Sequence, residues 1–164
     1  MRYWLMKSEP DVFSIDDLKH VRTTLWDGVR NYQARNFMMN EMKVGDEILF
    51  YHSNAEPPGV AGLARVVEAA VPDPAQFDHK SEYHDSKATL EKPVWFCVRV
   101  GFVEKFKHLV SLQEIRETPK LAEMLVLRKG QRLSIQPVTA PEFRQICKMG
   151  KTGNTGKTGK MGPA

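Results

Sequence analysis

Cysteine is scarce: Cys97 and Cys147 are the only two. They stand too far apart for the short ligand spacing of a zinc fold and are too few for a disulfide framework. Long apolar runs are also missing. None exceeds eight residues, whereas about 18–20 are needed to cross a bilayer, so no membrane partner is expected. The opening Met1-Arg2-Tyr3-Trp4 leads directly into a strand-like segment, with no apolar stretch before a small-residue cleavage site. No secretory signal is expected from that pattern. These shortages predict a reduced, intracellular setting, cytoplasmic or, in a eukaryote, nuclear. What is present is ordinary for a globular chain of 164 residues, 41% hydrophobic and 27% charged, with three Trp, eight Phe and four Tyr. That balance argues against disorder, collagen and coiled coil.

Catalytic and metal-binding patterns are short as well. His79, Glu82, His84 and Asp85 lie close together, but their spacing matches no zinc-fold pattern, and a solvated polar loop is the reading taken. No metal and no cofactor are expected. Ser8 precedes Glu9-Pro10 and lacks the glycines that expose a nucleophilic serine. Cys97 sits in an apolar strand, where a thiol is packing. Asp16 and Asp17 fall in the first turn of a helix, where negative charge complements the dipole. No catalytic residue is assigned.

Charge is uneven along the chain. Net charge is +4, but Lys148, Lys151, Lys157 and Lys160 fall in 148–164 with no acid, and the body before them is neutral. A neutral body with a basic end predicts weak, salt-sensitive attraction to a polyanion. With Gly at every third position, 148–164 reads as a flexible appendage to a domain spanning 1–147. Its Gly-Lys-Thr triplets are not phosphate loops, because Gln145 and Lys151 hold the places where the first Gly belongs.

Helix starts are legible. Ser14 with Asp17, Ser111 with Glu114, and Thr139 with Glu142 each have capping-box spacing and flanking apolar residues. A fourth helix starts near Asn31 and runs through Phe37, Met38 and Met42, with Gly45 as its stop. Strands are predicted at 2–7, 47–53, 60–71, 94–106 and 133–137, with a bulge or bend at Gly101. The 72–92 stretch is long for a loop, which marks it as functional or as a structured excursion. Together these predict a single α+β domain with a curled sheet.

One segment gathers groups suited to binding. Trp26-Asp27-Gly28-Val29-Arg30-Asn31-Tyr32 sets a flat ring, a flexible Gly and hydrogen-bonding side chains just before a helix. Tyr51-His52-Ser53-Asn54 closes a strand nearby. A flat ring with convergent donors and acceptors is what holding a nucleobase requires. Pattern alone favours the plainer reading, with Trp26 in the core and Arg30 a surface charge.

Several motifs carry a resemblance. Tyr-Trp-Leu-Met-Lys-Ser-Glu-Pro at 3–10, Trp-Asp-Gly-Val-Arg-Asn-Tyr-Gln-Ala-Arg-Asn at 26–36, and Phe-Tyr-His-Ser at 50–53 resemble the EVE domain. Asp-Pro-Ala-Gln-Phe-Asp at 73–78, Lys-Pro-Val-Trp-Phe at 92–96 and Leu-Ser-Ile-Gln-Pro-Val-Thr at 133–139 continue the match in order. The chain is also similar to the thymocyte nuclear protein group, whose core is this domain. The resemblance implies a PUA-like fold: a curled β-barrel of about five to six strands flanked by short helices. It also implies a non-catalytic module that captures a modified, flipped-out base, a modified cytosine or a methylated adenine, from DNA or RNA. By position, Trp26 stacks on the base, and Lys7 and Ser8 form the rim. Val29, Arg30 and Asn31 close over the base, with Asn31 on its edge. Tyr51, His52 and Ser53 line the opposite side, and Gln136 and Pro137 close the floor. Two other classes stay open: an enzyme acting on RNA or a nucleotide through Asp27, Arg30 or His52, and a small-ligand or protein-interaction module using the same pocket. Nothing in the sequence specifies self-association, and a monomer is expected.

Overall fold

The computed structural model describes residues 1–152. β-Branched and aromatic residues concentrate in six segments that pair into one sheet: β1 (Tyr3–Ser8), β2 (Thr23–Leu25), β3 (Glu47–His52), β4 (Gly59–Pro72), β5 (Phe96–Ser111) and β6 (Ile135–Val138). Their order is β2-β5-β4-β3-β1-β6, with β1 and β3 parallel and every other pair antiparallel. Among the described residues four α-helices flank the sheet: α1 (Ile15–Val21), α2 (Tyr32–Asn36), α3 (Leu112–Glu117) and α4 (Ala140–Thr152). The α+β domain is as expected, but the barrel does not close. β2 and β6, of three and four residues, are the sheet's two edges and do not pair with each other.

Both faces of the central strands are covered, so side-chain alternation sorts residues into two cores. Trp4, Met6, Ile48 and Phe50 pack with Ile15, Leu18, Ala34 and Met38. Leu5, Leu49 and Tyr51 face the other way, onto Ile115, Phe143, Ile146 and Met149. The bend expected at Gly101 lies elsewhere. Gly101 keeps regular register with Arg65 and Thr23; β5 carries extra residues at Val103 and between Lys105 and Val110, and β4 carries its own between Val66 and Glu68 and between Glu68 and Val71. Ala70 absorbs the last of these with φ +52°. Gly101 is small because a Cβ there would come within 3.0 Å of Val67 Cγ1.

All three capping boxes form. Ser14 and Asp17 exchange bonds at 3.1 and 2.8 Å, Ser111 and Glu114 both at 3.1 Å, and Thr139 and Glu142 at 3.0 and 3.3 Å. Asn31 caps α2, its Oδ1 accepting from the Ala34 N–H at 2.9 Å. The helix then widens into a π-turn at Phe37–Glu41 and ends at Met42, so Gly45 is not its cap. Gly45 instead takes φ +96° in the following turn, where its N–H donates to the Val66 carbonyl at 2.9 Å. α4 runs past the expected boundary at Cys147 to Thr152, because Met149 and Gly150 are buried and hold the last turn on the sheet. The remainder of the expected basic appendage, 153–164, lies outside the described residues.

α1 gains a second N-terminal partner from β3. The Ile15 N–H donates to His52 Nε2 at 3.1 Å, so this bond needs a neutral imidazole. Burial lowers the His52 pKa below its ordinary value; Asp16 opposes the shift and Lys105 adds to it. The unfolded chain therefore takes this proton at a higher pH than the folded one, and protonation favours unfolding. His52's contribution is whole above about pH 6.5 and is lost as pH falls from there through the lower pKa of the folded state. Thermal melts at pH 7.5 and 5.5 will show a smaller loss for His52→Gln, whose amide oxygen can accept the same bond, than for the wild type. Equal losses would remove His52 as the titrating group.

Candidate functional site

The chain leaves β2 at Leu25 and passes through the 26–31 loop before α2. Trp26 is held by its own backbone, its N–H donating to the Val98 carbonyl at 2.8 Å. Its half-buried indole stands edge-on to Phe50, with ring centroids 5.6 Å apart and planes at 84°. Gly28 turns the chain at φ +78°, and a Cβ there would come within 2.9 Å of the Tyr83 ring. This is a position where both the backbone angle and the space demand glycine.

The 73–95 excursion clamps this loop from outside. Asp73 is only 1% exposed and accepts three hydrogen bonds: from the Gly28 N–H at 2.8 Å, Arg30 Nη1 at 3.0 Å and the Ala75 N–H at 2.8 Å. Gln76, wholly buried, ties the two ends of the excursion together. Its Nε2 donates to the carbonyls of Asp73 and Trp95 at 2.8 and 2.7 Å, and its Oε1 accepts from the Val94 and Trp95 N–H groups at 2.9 and 2.8 Å. Arg30 is spent on this clamp. Beyond Asp73 it donates to the Tyr83 carbonyl at 2.8 Å and the Val29 carbonyl at 2.9 Å, and its guanidinium lies 4.9 Å from the Trp95 ring centre. The long stretch is thus a structured excursion that braces the 26–31 loop.

The braced loop walls a cavity of about 620 Å³, within the roughly 300–1,000 Å³ range of small-molecule sites. Of the residues assigned by position, Lys7, Ser8, Trp26, Val29, Arg30 and Asn31 line it. Tyr51, His52, Ser53, Gln136 and Pro137 do not. Strand alternation turns Tyr51 into the opposite core, where the Lys7 ammonium lies 6.0 Å from its ring centre. His52 is engaged with α1, and the Ser53 N–H donates to the Ser8 carbonyl at 3.0 Å. Gln136 is buried and donates to the Leu133 carbonyl at 2.9 Å. Pro137 sits one step further along β6, opposite Trp4. The β6-side residue that does reach the cavity is Ser134, drawn there because its carbonyl accepts the Lys7 N–H at 2.9 Å. Phe13 and Asp27 line it as well.

Electrostatics single out two groups. Burial raises the Asp27 carboxyl, with the Asp73 charge adding to the shift and Arg30 opposing it. Burial also lowers Lys7. The thiols are inert at neutral pH, Cys97 pushed by burial up to about 12 and Cys147 to about 11. Among the described residues no three His, Cys, Asp or Glu side chains gather as a metal site, and no helix is long and apolar enough to cross a membrane.

Residues 2–149 match the EVE domain. The chain belongs to the EVE domain family. Chicken thymocyte nuclear protein 1 is 44% identical over 160 residues, covering 86% of this chain. This chain spans 65% of that relative's length, just under two thirds. The structure of human THYN1 in complex with 5-methylcytosine-containing DNA is 43% identical, with a TM-score of 0.82 over 91% of this chain and 97% of that one. A YTH domain solved with RNA shares the fold, with a TM-score of 0.51 at 12% identity, covering 91% of this chain and 77% of that one. In this EVE domain the 26–31 segment sits on a clamped loop. The clamp's signal was also in the sequence: Asp73 before Pro74 is the pattern of a residue capping a short helical turn.

Proposed function

We propose that this EVE domain binds nucleic acid without catalysis and takes one modified base, flipped out of its stack, against the Trp26 indole. The observation that carries this reading is the cavity: an aromatic wall backed by Phe50, on a loop held rigid by Asp73. Holding the loop in advance lowers the ordering cost of binding. The relative solved with 5-methylcytosine DNA supports DNA as the polymer and modified cytosine as the first base to try. For a host with a nucleus, the names of the thymocyte nuclear relatives support a nuclear location.

The test is fluorescence anisotropy with matched DNA and RNA oligonucleotides at fixed salt, carrying unmodified cytosine, 5-methylcytosine or methylated adenine. One modified probe will bind several-fold tighter than its unmodified twin, and will be recovered chemically unchanged. Base–aromatic stacking contributes about 1–3 kcal/mol, so Trp26→Ala will weaken that probe about ten-fold. Equal binding by wild type and Trp26→Ala would end the assignment, and turnover of the probe would make the domain an enzyme.

A further inference from the structure

The polar groups lining the cavity differ in how far they are already engaged. The Ser8 hydroxyl donates to the Phe13 carbonyl at 2.6 Å, and the Arg30 guanidinium is committed to Asp73, Val29 and Tyr83. Asn31 has its Oδ1 fixed on the Ala34 N–H. That bond fixes the amide's sense, leaving its nitrogen as a donor. Asp27 is the one carboxylate among the described lining residues, and it forms no ion pair with Arg30, which pairs with Asp73 instead. The Lys7 ammonium, on the rim, lies 6.0 Å from the ring centre of Tyr51, which faces the other core; with the Arg30 charge taken by Asp73, the loop itself presents an acceptor-only group next to the stacking ring and a donor four residues on.

Base edges divide on this pattern. Cytosine and adenine present an exocyclic amino donor beside a ring-nitrogen acceptor; thymine, uracil and guanine present a carbonyl acceptor beside a ring N–H donor. An acceptor at Asp27 with a donor at Asn31 complements the first group and opposes the second. We infer that Asp27 is the specificity-determining residue of this cavity, accepting the exocyclic amino group of the captured base and so selecting amino bases over keto bases. The inference rests on the base-capture reading above. Its environment agrees: burial and the nearby Asp73 charge disfavour a bare carboxylate at Asp27, so a hydrogen-bond donor brought by the ligand is favourable there.

The probe pair that isolates this edge is 5-methylcytosine against thymine at one position of otherwise identical single-stranded DNA. Both bases carry the same ring and the same methyl group, and they differ at the 4-position and N3. Full-length wild type will prefer 5-methylcytosine by about ten-fold or more, the discrimination a well-formed edge contact gives. Asp27→Asn, whose amide can present either a donor or an acceptor, will bring the ratio within about two-fold. Asp27→Asn removes a partly sheltered charge that Asp73 repels, so the variant will melt at or slightly above the wild-type temperature. Trp26→Ala will weaken both probes together. A wild-type ratio near one, or an unchanged ratio in Asp27→Asn, while Trp26→Ala still weakens binding, overturns the Asp27 role and leaves base capture standing. No effect of Trp26→Ala on either probe overturns base capture, and the Asp27 role with it.

Discussion

Asp73→Ala will cost this protein both stability and binding, although Asp73 does not line the cavity. The substitution removes a buried acceptor of three hydrogen bonds and leaves Arg30 without its ion-pair partner, the two side chains being 2% and 21% exposed. Breaking a buried pair from one side costs about 3–5 kcal/mol, which for a chain of this size lowers the melting temperature by roughly 10 °C. Well below the new melting temperature, the Gly28 turn and Arg30 will still be unclamped, and affinity for the preferred modified probe will fall about ten-fold or more. Asp46→Ala supplies the comparison. Asp46 is 3% exposed and also accepts three bonds, from Trp4 Nε1 at 3.0 Å, the Arg2 N–H at 3.1 Å and the Lys43 N–H at 3.0 Å. All three lie at the other end of β1, away from the 26–31 loop. Asp46→Ala will melt earlier too, yet bind normally at low temperature. Parallel loss of binding in both variants would mean that the clamp has no specific hold on the site.

Much of this architecture was legible because local chemistry states it directly. Capping boxes need only two side chains at fixed spacing, and all three formed. Strands covered on both faces read as dense apolar runs, and five were found within a few residues except at the far end of β5, which extends to Ser111. What escaped depends on partners remote in sequence. Thr23–Leu25 is a strand only because β5 lies beside it. The parity that turns Tyr51 away from the cavity is that of Leu49, which faces the second core, while Phe50 between them faces the first. Arg30 looked free to close over a ligand until the excursion brought Asp73 and the Tyr83 carbonyl to it. The same excursion makes the loop rigid, so the part of the sequence with the least clear periodicity holds the most informative part in place.

The boundary at the end of α4 gives the second large effect. Gly150 and Thr152 are weak helix formers inside a run of Gly-Lys-Thr triplets, which is why a flexible segment was expected from Lys148 onward. Yet Phe143, Ile146, Met149 and Gly150 are buried at helical spacing, and the stripe does not end at Cys147. Met149 is fully buried, Gly150 lies so close to the Phe106 ring that a Cβ would overlap it, and Lys151 Nζ reaches Glu104 at 3.6 Å. A chain ending at Cys147 loses all of this, and deleting a buried Met side chain alone costs about 2–5 kcal/mol. It will therefore melt roughly 10 °C below a chain ending at Thr152. In the chain ending at Thr152, Gly150→Ala will also lower the melting point, because the ring it would displace belongs to the core of β5, so the helix must lift. Coincident melting curves for the two chain lengths would show that the last turn adds nothing to the fold.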